Sequence, residues 1–334
     1  MNYTISDIAK ICGVSKATVS RVINNKSEGV GADTKERILE TIKELNYRPN
    51  VLARSIAGVE SKMIGVVVPD ITNPYFPQLV RGIDDYLSDL GYTIFLCNSD
   101  NDSEKEKRHL YSFVDKRVDG IILATGMDNM EILDIIKQYN IPIVCVDRVL
   151  NTSNIDASVS VNNINGAMSA TLYLMDKGNQ KIAFLGGKKE VVNTIERKKG
   201  YEKAFKLRNQ PIDEHLMLFG DFTIDSGMEM AKKLMNYTED IDALFVGGDV
   251  IAIGVIKYLK SIGKRIPEDI EIIGFDGIEL GQVFDPNLST VSQPIYEMAT
   301  QISKMLIHRI EGTLGSMRHI VIEPELVLRE TTRP

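Results

Sequence analysis

Residues 4–25 read TISDIAKICGVSKATVSRVINN, and the spacing of their apolar residues decides how the chain begins. Ile5, Ile8, Ala9 and Cys12 recur at helical spacing, and Gly13 then stops the helix. Val14 continues the apolar set. Ser15 is placed to cap a second helix that carries Val19, Val22 and Ile23 on its inner side. Two short helices joined by a tight glycine-containing turn form a helix-turn-helix. The stretch TKERILETIKELNY (34–47) predicts a longer third helix with Ile38, Ile42 and Leu45 inward. Lys16, Ala17, Ser20 and Arg21 are then left on the outer side of the second helix, the side that enters a DNA major groove in such motifs. Arg21 suits guanine O6 and N7, Lys16 the same or a phosphate, and Ala17 offers a methyl to thymine. Periodicity alone also allows a plain three-helix bundle with a basic face.

Charge is uneven along the chain. The 334 residues carry a net charge of −7, yet residues 1–60 hold nine Lys/Arg against seven Asp/Glu, leaving −9 on the rest. A basic head on an acidic body points to a polyanion partner for the head alone, although a solvated helix face gives the same pattern. The length predicts two or three compact units, and 43% hydrophobic with 25% charged residues is the composition of a globular protein. Cys12, Cys97 and Cys145 lack metal-ligand spacing and read as reduced thiols, buried as small hydrophobes. No metal or cofactor is expected. With no signal-peptide pattern and no apolar run near the roughly 20 residues a bilayer needs, the expected location is the cytoplasm.

From Ser61 the texture changes to strands alternating with helices. MIGVVVPD (63–70), YTIFLCNS (92–99), DGIILAT (119–125) and PIVCVDR (142–148) read as buried strands with amphipathic helices between them. A similar run extends from SVSVN (158–162) to EIIGFDG (271–277), and LSTVSQP (288–294) and HIVIEPELVLRE (319–330) are expected to cross back between the two lobes. Such alternation means right-handed crossovers and parallel sheets. The expected fold is an all-α helix-turn-helix head on an α/β body of two doubly wound parallel-sheet lobes. Its expected divisions are 1–48 for the head, 49–61 for a hinge and linker, and 62–334 for the body. One lobe takes about 62–161 plus 291–323, the other about 162–290 plus 324–334.

Ligands in such sheets bind beyond the carboxyl ends of the strands. Polar and aromatic residues gather there: Asp70, Asn73, Tyr75 and Phe76 after the first strand, then Asp147 and Arg148. Arg197, Phe222, Asp249, Asp276 and Gln293 follow in the second half. A sugar needs bidentate acceptors and donors for its hydroxyls and a flat aromatic for its C–H face, which these residue types supply. Each alone also fits a helix cap, an ion pair or core. Asp147 and Asp276 could be the paired carboxylates of a glycosidase. Arg148 and Arg197 are expected to hold both ionised, whereas a general acid needs a raised pKa. With no phosphate loop, nucleophile elbow or zinc spacing in the chain, an enzyme is not expected.

The ordered pattern DIA…GVS…TVSRVIN…YRPN…ARS over residues 4–56 resembles the head of the lactose-repressor (LacI/GalR) family. NNKSEGVGAD (24–33) departs from it by about one extra residue. The resemblance implies operator contacts from Thr4, Ser15, Lys16, Ala17, Thr18, Ser20, Arg21 and Asn24. It also implies a hinge helix after Pro49, in which Asn50 and Arg54 touch the backbone or groove. There Ile56, where the family more often has Leu, wedges into a minor-groove step. Residues 61–334 resemble the effector domain of the same family, whose architecture resembles the periplasmic-binding-protein type of sugar receptor. In that superfamily the matching ribose-binder positions are Asn73, Tyr75, Phe76, Asp147, Arg148, Arg197, Phe222, Asp276 and Gln293.

The wording PDITNPYFPQLVRG…DR is similar to ribose-operon repressors of Gram-positive type. Ribose receptors usually place Asn where this chain has Gly248, so one sugar hydrogen bond is lost or passes to water or Asp249. The implied partners are operator DNA, a small sugar effector (ribose, or a related sugar or sugar phosphate) and a second copy of the chain on a pseudo-palindromic site. Sugar is expected to close the cleft and disfavour the paired hinge helices. Sucrose or fructose repressors remain alternatives. So does a global catabolite regulator triggered by a phosphorylated partner protein, which needs no complete sugar shell. A free sugar receptor is disfavoured by the basic head and the missing signal peptide.

Overall fold

The structure, a computed structural model, describes residues 3–23, 28–47, 60–124, 130–148, 154–238, 240–315 and 318–334. Two compact units divide the chain, 1–61 and 62–334.

The first unit holds α1 (Ile5–Ile11), α2 (Lys16–Ile23) and α3 (Ala32–Glu44). Thr4 starts α1 with a reciprocal cap: its hydroxyl accepts from the Asp7 amide, and the Asp7 carboxylate accepts from the Thr4 amide at 2.8 Å. Gly13, at φ +64°, makes the turn that a side chain would strain. Ser15 Oγ then accepts from the Thr18 amide at 3.1 Å and opens α2. Ile8, Ala9, Cys12, Val19, Val22 and Ile38 form the core, with Ile42 and Leu45 packed at its edge. The two helices, the turn and the inward face are those the sequence predicts.

The second unit opens with β1 (Met63–Val68), α4 (Tyr75–Asp89), β2 (Thr93–Asn98), α5 (Ser103–Lys116), β3 (Gly120–Leu123), α6 (Met130–Gln138), β4 (Ile143–Val146) and β5 (Ala157–Val161). Next come α7 (Asn163–Asp176), β6 (Ile182–Gly186), α8 (Val192–Leu207), β7 (Met217–Phe219), α9 (Ile224–Tyr237), β8 (Ala243–Val246), α10 (Asp249–Ser261) and β9 (Glu271–Asp276). The returns are β10 (Ser289–Ser292), α11 (Ile295–Ile310), β11 (His319–Ile322) and β12 (Glu325–Val327). One sheet runs β11-β5-β4-β3-β1-β2 and the other β12-β10-β9-β8-β6-β7. All pairings are parallel except β10 with β12. Each sheet reverses its winding once, between β1 and β3 and between β6 and β8, and that reversal opens a crevice at the strand ends.

The central strands β3, β4, β6, β8 and β9 are buried throughout, as parallel strands covered on both faces must be. Helix α11 packs on α4 and the first sheet, so the chain has returned to the first lobe by then. The crossing itself falls after Ser292, not at the expected 290/291. The whole of β10 is in register with β9, from Ser289 opposite Ile273 to Ser292 opposite Asp276. Helices α7 and α8 approach closely at Gly200, where a Cβ would stand 2.3 Å from the Ile164 carbonyl oxygen. This contact sets α8 against the second lobe with Arg197 one turn before it. Cys12 and Cys145 are buried, but Cys97 is only half-buried, because β2 is an edge strand with one face uncovered. Among the described residues no helix is long and apolar enough to cross a membrane, and no cluster of His, Cys, Asp or Glu is arranged to hold a metal ion.

Candidate functional site

On the first unit, Ser15, Lys16, Ala17 and Arg21 are exposed on α2 and its cap, and Thr18 and Ser20 are half-buried. Thr4 is exposed, but its hydroxyl is held by the Asp7 carboxylate at 2.7 Å, so it serves the helix cap first. Asn24, Asn50, Arg54 and Ile56 lie outside the described residues.

On the second unit a cavity of about 400 Å³ lies where the strand ends of the two sheets face each other. Eight of the nine sequence-derived pocket residues line it: Asn73, Tyr75, Phe76, Asp147, Arg148, Arg197, Phe222 and Asp276. Asn73 ends the β1 loop and accepts from the Tyr75 amide at 3.1 Å, which starts α4 with both aromatics turned inward. The rings of Tyr75 and Phe76 meet edge to face with centroids 5.1 Å apart. Phe222 stands on the other lobe, over Gly187, where a Cβ would come within 2.1 Å of its ring.

Asp147 follows β4 and is buried. It accepts from Tyr75 Oη at 3.1 Å and from Asn193 Nδ2 at 3.0 Å, and Arg148 Nε lies 3.8 Å away. Arg148 also donates to Asn101 Oδ1 at 3.0 Å. Of the polar atoms buried without a hydrogen bond among the described residues, two stand at the cavity: Arg148 Nε and Asn193 Oδ1. Both belong to residues lining the cavity, one a donor and one an acceptor.

Arg197, 2% exposed, is held on every side. It donates to Asn163 Oδ1 and to the Gly247 carbonyl, both at 2.9 Å, and lies 3.4 Å from Asp276 Oδ1. Its guanidinium stacks 3.7 Å above the Phe275 ring. Asp276 also accepts from Gln293 Nε2 at 2.8 Å. Gln293 therefore sits one layer behind the lining, bracing Asp276, with its Oε1 3.4 Å from Tyr75 Oη.

Arg148 and Arg197 favour the ionised carboxyls, as expected, but burial opposes them. Burial raises both Asp147 and Asp276, and the attraction of Arg148 and Arg197 offsets this only in part. Two expectations for Asp249 are corrected here. Asp249 does not replace the missing side chain at Gly248, because its carboxylate points away from the cavity to the Gly277 and Ile278 amides. Nor is it the helix cap: Gly248 holds that position, and Asp249 is the first residue of α10.

Asn193, Asn101, Lys188 and Asp221 are lining residues absent from the sequence-derived set. Asn193 stands one turn before Arg197 on α8, a spacing that puts both on one helix face and was legible in VVNTIER. In all, five carboxylates (Asp70, Asp100, Asp147, Asp221 and Asp276) and three cations (Arg148, Lys188 and Arg197) surround the cavity. Lys188 pairs with Asp221 at 3.2 Å. The lining can bind a small, neutral, hydroxyl-rich molecule between flat rings and charged forks.

Residues 61–330 match the family described as periplasmic binding proteins and sugar binding domain of LacI family. Residues 4–50 match bacterial regulatory proteins, lacI family. The chain is 41% identical over 330 residues to the ribose operon repressor of Halalkalibacterium halodurans, covering 99% of this chain and 97% of that one. It is 38% identical over 334 residues to the catabolite control protein A of Priestia megaterium, with 100% of each covered. Among solved structures, the lac repressor dimer bound to operator and the anti-inducer ONPF has a TM-score of 0.87 to this chain. The identity there is 26%, with 100% of both chains covered.

Proposed function

This chain belongs to the LacI family of bacterial transcriptional regulators, a DNA-binding helix-turn-helix joined to a sugar-binding domain, and on that premise we propose that it represses a ribose operon. Two copies grip a pseudo-palindromic operator, since a two-fold protein reads two-fold DNA. Ala17, Ser20 and Arg21 meet base edges, Lys16 a base edge or a phosphate, Thr4, Ser15, Thr18 and Asn24 complete the operator contacts, and the segment carrying Asn50, Arg54 and Ile56 forms the hinge. Ribose enters the cavity between the lobes and draws them together, and the closed body holds the operator less tightly. Coupling of this kind is worth about 1–3 kcal/mol, a 5- to 150-fold change in operator affinity.

The observation that carries the effector reading is the convergence of eight residues from strand ends and helices of both lobes on one cavity of about 400 Å³. A pentose fits that volume. The charge balance favours the free sugar over its phosphate. Arg197 is already enclosed by Asn163, Gly247 and Asp276, Lys188 by Asp221, and carboxylates outnumber cations in the lining. The similarity to a ribose operon repressor supports the same sugar. The similarity to a catabolite control protein favours a second reading, in which a phosphorylated partner protein is the trigger. Titration calorimetry of the full chain against ribose, ribose 5-phosphate, fructose and sucrose separates these. The proposal expects heat from ribose and none from its phosphate. No heat from any of the four removes the ribose reading.

A further inference from the structure

The mechanism above uses Asp276 but not the buried carboxylate beneath it. Asp249 is 0% exposed and does not line the cavity. Its Oδ2 accepts from the Gly277 amide at 2.8 Å and the Ile278 amide at 3.0 Å, and its Oδ1 accepts from Thr290 Oγ1 at 2.7 Å. Those two amides follow Asp276, whose backbone stands at φ +126°, a conformation that L side chains rarely adopt. Strain of this kind persists only where the surroundings over-determine it. Room for the Asp249 carboxylate is made by Gly274, opposite Thr290 in the β9–β10 ladder, where a Cβ would come within 2.2 Å of Asp249 Oδ1. Helix α10, strand β9 and strand β10 thus each contribute to one clamp.

We propose that Asp249 is a positioning residue for the effector site, clamping the 276–278 turn so that Asp276 is held in its strained backbone conformation and its carboxylate faces the cavity. The inference rests on reading that cavity as the effector site. Without the clamp the Asp276 backbone relaxes, and its carboxylate leaves the position fixed by Arg197 and Gln293. A side chain that only filled core space would be replaceable by one of similar volume. This role needs an acceptor aimed at two amides.

The test uses the full chain and three variants, Asp249→Ala, Asp249→Asn and Gly274→Ala. Asn keeps an acceptor oxygen for the two amides, while the Cβ at 274 expels the carboxylate without removing it. Two readouts are taken: ribose affinity by calorimetry, and hydrogen exchange of the peptide containing Gly277 and Ile278, which needs no ligand. Loss of the acceptor for two buried amides is expected to weaken ribose binding about 10- to 100-fold in Asp249→Ala and Gly274→Ala. Exchange at the peptide is expected to rise at least about tenfold in both, and Asp249→Asn is expected to restore both readouts to within about threefold of the wild type. Should Asp249→Ala not fold, Gly274→Ala and Asp249→Asn decide alone. Unchanged exchange, or raised exchange with ribose affinity retained, overturns the clamp. Should the wild type ignore ribose, the functional reading fails, and the exchange measurement still decides the clamp.

Discussion

Asn193 Nδ2 donates to Asp147 Oδ1 over 3.0 Å, and this bond joins the lobe that carries β4 to the lobe that carries α8. The other end of the same amide, Asn193 Oδ1, is buried without a partner. One side chain therefore holds the lobes together and still has an acceptor to offer a hydroxyl. Asn193→Ala is expected to weaken ribose binding by about 1–3 kcal/mol, since it removes a bond to a charged group and an acceptor at once. Calorimetry checks it, and wild-type affinity in the variant contradicts it.

Arg21 is exposed on α2, clear of the packed core of the first unit. Arg21→Ala is expected to cost about 1–3 kcal/mol at one base pair of the operator and to relax the preference there. Binding-site selection on wild type and variant measures this. Identical preferred sequences count against groove reading by α2.

The buried carboxyls make stability depend on pH. Burial and the neighbouring Asp276 push Asp249 up to about 8, from an ordinary 3.8. Asp276 is raised as well, by burial and by Asp147, with Arg197 and Gln293 opposing. A carboxyl with a higher pKa in the folded state than in the unfolded state binds its proton more tightly when folded. Stability is then greatest below the unfolded value and falls as pH rises towards the folded one. The urea midpoint of the body is expected to drop between pH 5 and pH 8. Asp249→Asn flattens part of that slope. A midpoint that rises over the same range contradicts the direction given for these groups.

Gly200→Ala places a methyl 2.3 Å from the Ile164 carbonyl oxygen and 2.6 Å from Ala167 Cβ. Backbone cannot yield as a side-chain tip does, so α7 and α8 must separate at an expected cost of about 1–3 kcal/mol. Arg197, on the same helix, shifts with them. A lower urea midpoint together with weaker ribose binding is the expected pair of results. An unchanged midpoint argues against close packing at this position.

Much of this was legible in the sequence because the periods are strong. Ile8, Val19, Val22 and Ile38 sit at helical spacing and share one core, and MIGVVV (63–68) is apolar enough to be covered on both faces. Strand-end residues could be named because a parallel sheet delivers all its carboxyl ends to one side. Depth was not legible. Gln293 lies a layer behind Asp276, and Asp249 turns away from the cavity. The direction of each side chain depends on strands far away in the chain, Gly274 and Thr290 in the case of Asp249. The raised carboxyls escaped for a related reason: adjacent Asp and Arg letters suggest attraction, while the burial that outweighs it exists only in the folded body.

The central claim is that a sugar in the body sets the grip of the head on DNA. Fluorescence anisotropy of a duplex recovered by binding-site selection, titrated with the full chain at fixed salt with and without saturating ribose, measures it most directly. The account predicts an operator affinity about 5- to 150-fold weaker with ribose present. An affinity that stays the same while calorimetry shows ribose bound would contradict it.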